Sequence, residues 1–466
     1  MLIERFEDKG LAQYSYAVAC EGQGVCAIVD PRRDVDVYLE FAAARGLAIA
    51  HVLETHIHAD FASGARELAA RTGAALRLSA YDEGELYETA FPHIELRDGD
   101  AIAFGAVRMV ARHTPGHTPE HVSFLVYDQA RAADVPMVML SGDFLFVGSL
   151  GRPDLLGDAA TLALAKRLYQ SVATVLPGLP DGLEIAPGHG AGSMCGAGMS
   201  GRPGSTLGFE RAANPYLRPL TEAAFVELIV GTVPPFPDYY RRMKVLNAAG
   251  PPSLNGLPGL VALPAGHFRD LAARDHVVVD LRDQLSFGAG HIPGAFGIGA
   301  GQSLSTWASW VVPYDRPLLL VGADQAQLDD AVRSLVRVGL DNVRGYLAGG
   351  IDSWVKVGWQ LAHTPQIAPE ALAARLAGGE AIRVLDVRNA SEWNSGHIEG
   401  ARHIMAGHLP AHVGEFRDGP PVAIVCGGGY RSTVAASILE RAGITNLMNV
   451  TGGMNAWRAA GRPVVS

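Results

Sequence analysis

The last two hundred or so residues are one pattern written twice. Val279-Asp280-Leu281-Arg282 returns as Leu385-Asp386-Val387-Arg388. Gly290-His291-Ile292-Pro293-Gly294-Ala295 returns as Gly396-His397-Ile398-Glu399-Gly400-Ala401, and Gly349-Gly350-Ile351-Asp352-Ser353-Trp354 as Gly452-Gly453-Met454-Asn455-Ala456-Trp457. The three pairs keep their order at a separation of about a hundred residues, the mark of a duplicated folding unit. Apolar runs of strand length alternate with helical stretches in each copy, so this half is confined to two tandem α/β units, 260–361 and 366–466.

The copies part where chemistry would sit. In the second, the buried-strand pattern Pro421-Val422-Ala423-Ile424-Val425 ends at Cys426, then Gly427-Gly428-Gly429-Tyr430-Arg431-Ser432 opens a helix running through Arg441. A cysteine between a strand and a glycine-rich turn faces several backbone N–H groups. Those donors and the helix N-terminus stabilise negative charge on sulfur. The glycines let the loop curl around sulfur without Cβ clashes. In the first copy the run Pro317-Leu318-Leu319-Leu320-Val321 ends at Gly322, and Gln327 stands where the second has Arg431. Without nucleophile or loop cation the first copy is expected to be catalytically silent, with a spacer, docking or interface role. His291, His397, Asp280 and Asp386 read as structural.

D-x-R, G-H-I-x-G-A and G-G-x-x-x-W in this order resemble rhodanese domains, and Cys426 to Ser432 resembles the rhodanese active loop C-x-x-x-x-R-[ST]. The resemblance implies that Cys426 carries sulfur, with Arg431 at the loop end and Gly427, Gly428, Gly429, Tyr430 and Ser432 forming the loop.

Residues 1–250 alternate strands and helices differently. Strands are expected at 16–20, 25–29, 49–53, 107–111, 122–127 and 135–140, and helices at 35–44, 62–71, 159–169 and 222–230. Four polar clusters end apolar runs: Thr55-His56-Ile57-His58-Ala59-Asp60-Phe61, His113-Thr114-Pro115-Gly116-His117-Thr118, Ser141-Gly142-Asp143, and Ala186-Pro187-Gly188-His189-Gly190. Loops at one sheet edge converge although distant in sequence, and His with Asp is metal-ligand chemistry.

These four clusters, over roughly residues 10–200, resemble the metallo-β-lactamase fold, an αββα sandwich with metal between the sheet edges. The continuation Phe144 to Leu155 (FLFVGSLGRPDL) resembles its glyoxalase-II-like and persulfide-dioxygenase branch. Hydrolases of this fold usually carry a second-metal His directly after the Asp of the first cluster. Phe61 holds that position and cannot ligate, which disfavours a dinuclear hydrolytic centre. The persulfide-dioxygenase resemblance implies one Fe(II) per metallo-β-lactamase domain, held by His56, His117 and Asp143, with positions left open for substrate sulfur and O2. His58, Asp60 and His189 are then expected to orient ligands or hold water. Arg152 is expected to meet a carboxylate of a thiol carrier, against the bland reading of a structural ion pair. Cys195, in glycine-rich surroundings, is read as an accessible thiol placed to bind or relay sulfane sulfur, against a buried free cysteine. His113 reads as a capped loop histidine; His51 and His121 are given no role, and Cys20 and Cys26 are read as core.

At 466 residues the chain needs several cores. It contains no apolar run long enough to span a bilayer. A net charge of −10 disfavours nucleic-acid and anionic-membrane partners. Four cysteines without C-x-x-C are no disulfide framework, and the N-terminus lacks a signal pattern, so a cytoplasmic setting is expected. A Pro- and Gly-rich stretch at about 234–259 reads as a linker with packed turns. The expected architecture is therefore α/β multidomain: 1–250, including C-terminal extension and linker, then the silent 260–361 and the catalytic 366–466.

The whole resembles persulfide dioxygenase–rhodanese fusions. That implies oxidation of a low-molecular-weight thiol persulfide by O2 to sulfite and thiol, with Cys426 interconverting persulfide plus sulfite and thiosulfate, in sulfide detoxification. The alternative is a glyoxalase-II-like zinc thioester hydrolase fused to a sulfurtransferase. The thiol carrier, the direction of sulfur flux and homo-oligomerisation stay open.

Overall fold

The computed structural model describes residues 1–233 and 236–466, so Pro234 and Pro235 of the expected linker lie outside the described residues. The chain divides into two compact units, Met1–Leu257 with Val336–Gly339, and Pro258–Leu335 with Leu340–Ser466.

The first unit is built on two six-stranded sheets. In order, one runs Leu2–Asp8, Gln13–Cys20, Val25–Val29, Ala48–Leu53, Ala75–Ser79 and Ile94–Leu96. The other runs Ser205–Thr206, Glu184–Pro187, Val138–Gly142, Val122–Asp128, Val107–His113 and Ala101–Phe104. Strand Gln13–Cys20 is buried on both faces, and its period of two sorts the side chains. Tyr14, Tyr16, Val18 and Cys20 join a core with Met109, Phe124 and Leu140 of the other sheet. The small Ala17 and Ala19 face helices Asp36–Ala44 and Ala65–Thr72. On the far side, Leu125 and Met139 pack against helices Asp158–Val175 and Glu222–Thr232. This is the expected αββα sandwich.

One expectation fails here. The supposed linker contains a regular helix, Tyr239–Ala249, with Tyr239, Tyr240, Met243, Lys244, Asn247 and Ala248 buried. Proline and glycine on both sides masked a helix that buries polar as well as apolar side chains.

The second unit holds two five-stranded sheets whose paired strands are all parallel. The first orders its strands Ala262–Leu263, Val343–Leu347, Leu318–Val321, Val277–Asp280, Phe296–Gly297. The second repeats that order with Gln366–Ile367, Leu447–Val450, Val422–Val425, Arg383–Asp386, Arg402–His403. The sequence repeat is thus a topological repeat. Among the described residues no helix is long and apolar enough to cross a membrane.

Candidate active sites

Three side chains from three of the four polar clusters meet in the first unit. His56, His117 and Asp143 are buried, with donor atoms within 4.8 Å of one another. His117 Nε2 lies 3.4 Å and His56 Nε2 3.9 Å from Asp143 Oδ2. None of these three atoms has a hydrogen-bond partner. Each is held by its other end. The His117 Nδ1–H donates to the Arg152 carbonyl at 2.9 Å. Thr55 Oγ1 donates to Asp30 Oδ2 and so receives the His56 Nδ1–H, both at 2.9 Å. The tautomers this network requires leave an Nε2 lone pair on each ring aimed at the Asp143 carboxylate. Burial, then the surrounding positive groups, pushes both imidazoles well below their ordinary value, keeping them neutral. Buried polar atoms without partners are costly. Three converging lone pairs on two imidazoles and a carboxylate therefore fit a divalent transition metal.

His189 bridges this trio to Asp60. Its Nδ1 donates to Asp143 Oδ1 at 2.7 Å and its Nε2 to Asp60 Oδ2 at 2.8 Å. Burial opposes charge on that ring, but the two carboxylates raise its proton affinity well above the ordinary value. Asp60, His189 and Cys195 form a second buried group of potential ligands, whose His and Asp are engaged with each other. His58 turns away from the trio, with Nε2 3.2 Å from Asp30 Oδ1. The wholly buried Phe61 packs on the His58 ring at 4.4 Å.

The loop carrying His56 is pinned from four sides. Asp30 accepts from the Thr55 N–H, Glu120 from the Ile57 N–H, Lys244 donates to the Ile57 carbonyl at 2.8 Å, and Asn247 donates to the His58 and Phe61 carbonyls. His121, given no role above, accepts the Asp143 N–H at 3.0 Å and stacks on His56. Gly142 is required at the turn before Asp143. Its φ is +51°, and a Cβ would come within 2.6 Å of His121 Nε2. Lys244, Asn247, Glu120 and Asp30 were invisible as site residues, because single polar residues without a cluster carry no metal signature. His121 had a signal, its closeness to His113 and His117.

Two readings change. Cys195 is not accessible: it is 1% exposed, 3.8 Å from the Tyr240 hydroxyl, and burial followed by Asp60 and Asp143 drives its thiol well above the ordinary value. Two of the glycines around it serve close packing, Gly190 against Tyr14 and Gly196 against Phe146 and the Leu150 carbonyl. Arg152 is fully buried and grips Asp154 with two bonds at 2.6 and 2.7 Å, so of its two readings it adopts the ion pair. His113, expected in a loop, instead ends strand Val107–His113, half-buried and stacked on Tyr81, and Cys20 and Cys26 lie in the core.

The second unit holds the Cys426 loop. Strand Val422–Val425 delivers the buried Cys426 to the mouth of helix Tyr430–Arg441. The Gly429 N–H donates to Cys426 Sγ at 3.1 Å, and Ser432 Oγ lies 3.4 Å away. The loop is backed by the G-G-x-x-x-W motif, whose Met454 N–H donates to the Cys426 carbonyl at 2.7 Å and whose Asn455 N–H donates to the Gly427 carbonyl. Gly453, at φ +57°, admits this approach, since a Cβ there would sit 2.3 Å from the Cys426 carbonyl. Arg431 is held by Glu392 in a two-bond pair at 2.5 and 2.7 Å, a partner the sequence did not suggest. Burial opposes ionisation of Glu392, but Arg431 holds it below the usual carboxylate range. A cavity of about 390 Å³ opens over Cys426, lined also by Ser303, Trp307, Gly428, Tyr430 and Arg431.

Comparison with known proteins agrees with both halves. The metallo-beta-lactamase superfamily model matches residues 8–189, and the rhodanese-like domain model matches 265–357 and 368–460. A probable metallo-hydrolase of Burkholderia pseudomallei (strain 1710b) is 31% identical over 41% of this chain and 72% of its own length. A hydroxyacylglutathione hydrolase of Anaeromyxobacter dehalogenans (strain 2CP-C) is 32% identical over 45% of this chain and 83% of its own. A crystal structure of a metallo-beta-lactamase from Staphylococcus aureus subsp. aureus COL is similar at 35% identity and a TM-score of 0.68, covering 74% of this chain and 99% of that one. The chain is a member of the metallo-beta-lactamase superfamily in which the metallo-beta-lactamase domain is followed by two rhodanese-like domains.

Proposed function

We propose that this protein is a persulfide dioxygenase coupled to a sulfurtransferase. The first half converts a low-molecular-weight thiol persulfide, O2 and water to thiol, sulfite and two protons. The second exchanges sulfane sulfur between Cys426, persulfide, sulfite and thiosulfate. The observation that carries this reading is the donor set: two neutral imidazoles and one carboxylate oxygen, all partnerless and converging, in one chain with a cysteine under a backbone N–H. Fe(II) held by His56, His117 and Asp143 would supply the redox chemistry that brings O2 and a sulfur substrate together.

The chain's own residues do the rest. His189 occupies Asp143 Oδ1 and leaves only Oδ2 free, which limits that carboxylate to one ligating oxygen. His121 and the Thr55–Asp30 pair fix the ligand loops, so the donors are preorganised. Phe61 fills the position where hydrolases of this fold carry a second-metal histidine, which favours one metal over two. Buried Lys244 sets a cation near Asp60 and Asp143, although burial lowers its proton affinity. At Cys426, the Gly429 N–H and Ser432 hydroxyl receive charge on sulfur, and Arg431 draws the anionic co-substrate. A cytoplasmic setting suits four free cysteines.

The test is O2 consumption by iron-loaded protein on addition of glutathione persulfide, with sulfite and thiosulfate quantified. Uptake matched by those products is expected. In Asp143→Ala, iron content and O2 uptake fall to background while thiosulfate-dependent transfer persists; iron retained at the wild-type level would refute the ligand set. The 32% identity to a hydroxyacylglutathione hydrolase favours a second reading, zinc-dependent thioester hydrolysis. No O2 uptake with any persulfide, alongside thioester cleavage by zinc-loaded protein, would establish that instead.

A further inference from the structure

The cavity over Cys426 is built by both rhodanese-like copies. Cys426, Gly428, Tyr430 and Arg431 come from the active loop, but Ser303 and Trp307 come from the silent copy, at the start of its helix Leu304–Val311. The join is specific. The Tyr430 hydroxyl donates to the Gly299 carbonyl at 2.8 Å, and Gln284 Nε2 donates to the Gly428 carbonyl at 3.3 Å. On the same helix as Trp307, Trp310 lies so close to Gly407 that a Cβ there would fall 2.2 Å from its ring. The helix that carries Trp307 is therefore seated against the second copy, and Trp307 lines the site.

The two walls differ in chemistry. The loop side offers the Gly429 N–H and the Glu392-bound guanidinium of Arg431, enough for a small inorganic anion. The silent side adds a half-buried indole and a hydroxyl, which such an anion does not need. At about 390 Å³ the cavity lies in the size range of sites for organic ligands of many atoms.

We propose that the silent copy supplies the organic-thiol subsite of the Cys426 reaction, with Trp307 and Ser303 seating the carrier body of a thiol persulfide. This rests on the reading of Cys426 as a sulfur carrier. The Cys426 thiolate attacks the outer sulfur of R–S–SH, a new S–S bond forms on Cys426, and the old S–S bond breaks. R–S⁻ leaves with the electron pair and takes a proton from water. The resulting cysteine persulfide, deprotonated, yields its outer sulfur to sulfite, giving thiosulfate and restoring the thiolate.

The experiment uses the full chain without O2, with cyanide as acceptor and thiocyanate as readout, comparing glutathione persulfide and thiosulfate as donors. In Trp307→Ala the kcat/KM ratio of glutathione persulfide to thiosulfate falls about tenfold, through KM, and Trp307→Phe recovers most of it. Ser303→Ala lowers the ratio less. Thiocyanate from thiosulfate in the same preparation shows that the mutated site is folded. A ratio unchanged from wild type in Trp307→Ala overturns the proposal. No thiocyanate from either donor with the wild-type chain would remove the carrier reading of Cys426, and this subsite with it.

Discussion

In both rhodanese-like copies the D-x-R arginine folds back on its own aspartate and on the next turn. Arg282 reaches Asp280 at 2.6 Å and the Gly290 carbonyl at 2.7 Å; Arg388 reaches Asp386 at 2.6 Å and the Gly396 carbonyl at 2.9 Å. The closing tryptophans behave alike, Trp354 donating to the Gln360 carbonyl and Trp457 to the Pro463 carbonyl. A sharp difference lies in the loop after the central strand. In the second copy a loop N–H points at Cys426 Sγ. In the first, the Ala323 N–H is taken by Gln327 Oε1 at 2.8 Å, the side chain that stands where Arg431 would be. One loop keeps a donor for sulfur; the other satisfies its donor internally. The shared motifs are thus architectural, and the candidate nucleophile and loop cation sit between strand and helix in the second copy alone.

Cys426→Ser tests that division most severely. Thiosulfate-dependent transfer should fall by at least about a thousandfold, since nothing in the first copy replaces the nucleophile. Persulfide-dependent sulfite formation should continue; its collapse would mean that the two halves are not independent. A smaller effect is expected from rebuilding the first copy as Gly322→Cys with Gln327→Arg in the Cys426→Ser background. A Cβ at 322 lies 2.8 Å from Leu328 Cδ2, so the graft should cost about 1–3 kcal/mol, lower Tm by several degrees and restore no turnover. Recovered turnover would show that the copies differ in side-chain identity alone.

The smallest effect concerns Glu392. Glu392→Gln should raise KM for thiosulfate a few-fold by loosening Arg431, with a stability loss of about 0.2–1 kcal/mol for a partly exposed pair. Its sign with pH is fixed. Because Glu392 is held below its ordinary value of 4.5, the pair contributes fully above that pH and is lost as pH falls through the lower folded value. The Tm gap between wild type and Glu392→Gln should therefore close on acidification below 4.5; a gap that widens would contradict the pairing.

Legibility followed the density of signal. His56, His117 and Asp143 were readable because imidazole and carboxylate at strand ends recur in clusters that packing does not need. Cys426 was readable because strand, glycines and helix constrain one another. Glu392 was not, since an acid three residues into a helix after Asn389 reads as a capping box, which it also forms. Nor were Lys244 and Asn247, lone polar residues between proline-rich segments. The accessibility expected of Cys195 failed for the converse reason: glycine allows exposure and close packing equally, and a distant helix decided between them.

That helix, Tyr239–Ala249, bears on how such a chain could be cut or recombined. The superfamily match ends at residue 189, yet Lys244 and Asn247 hold the carbonyls of the His56 loop. A gene fragment ending at the matched boundary would encode His56, His117 and Asp143 without the brace beneath them. The portable cassette extends past the prolines, and any fusion or excision that preserves the candidate metal site must break the chain after Ala249.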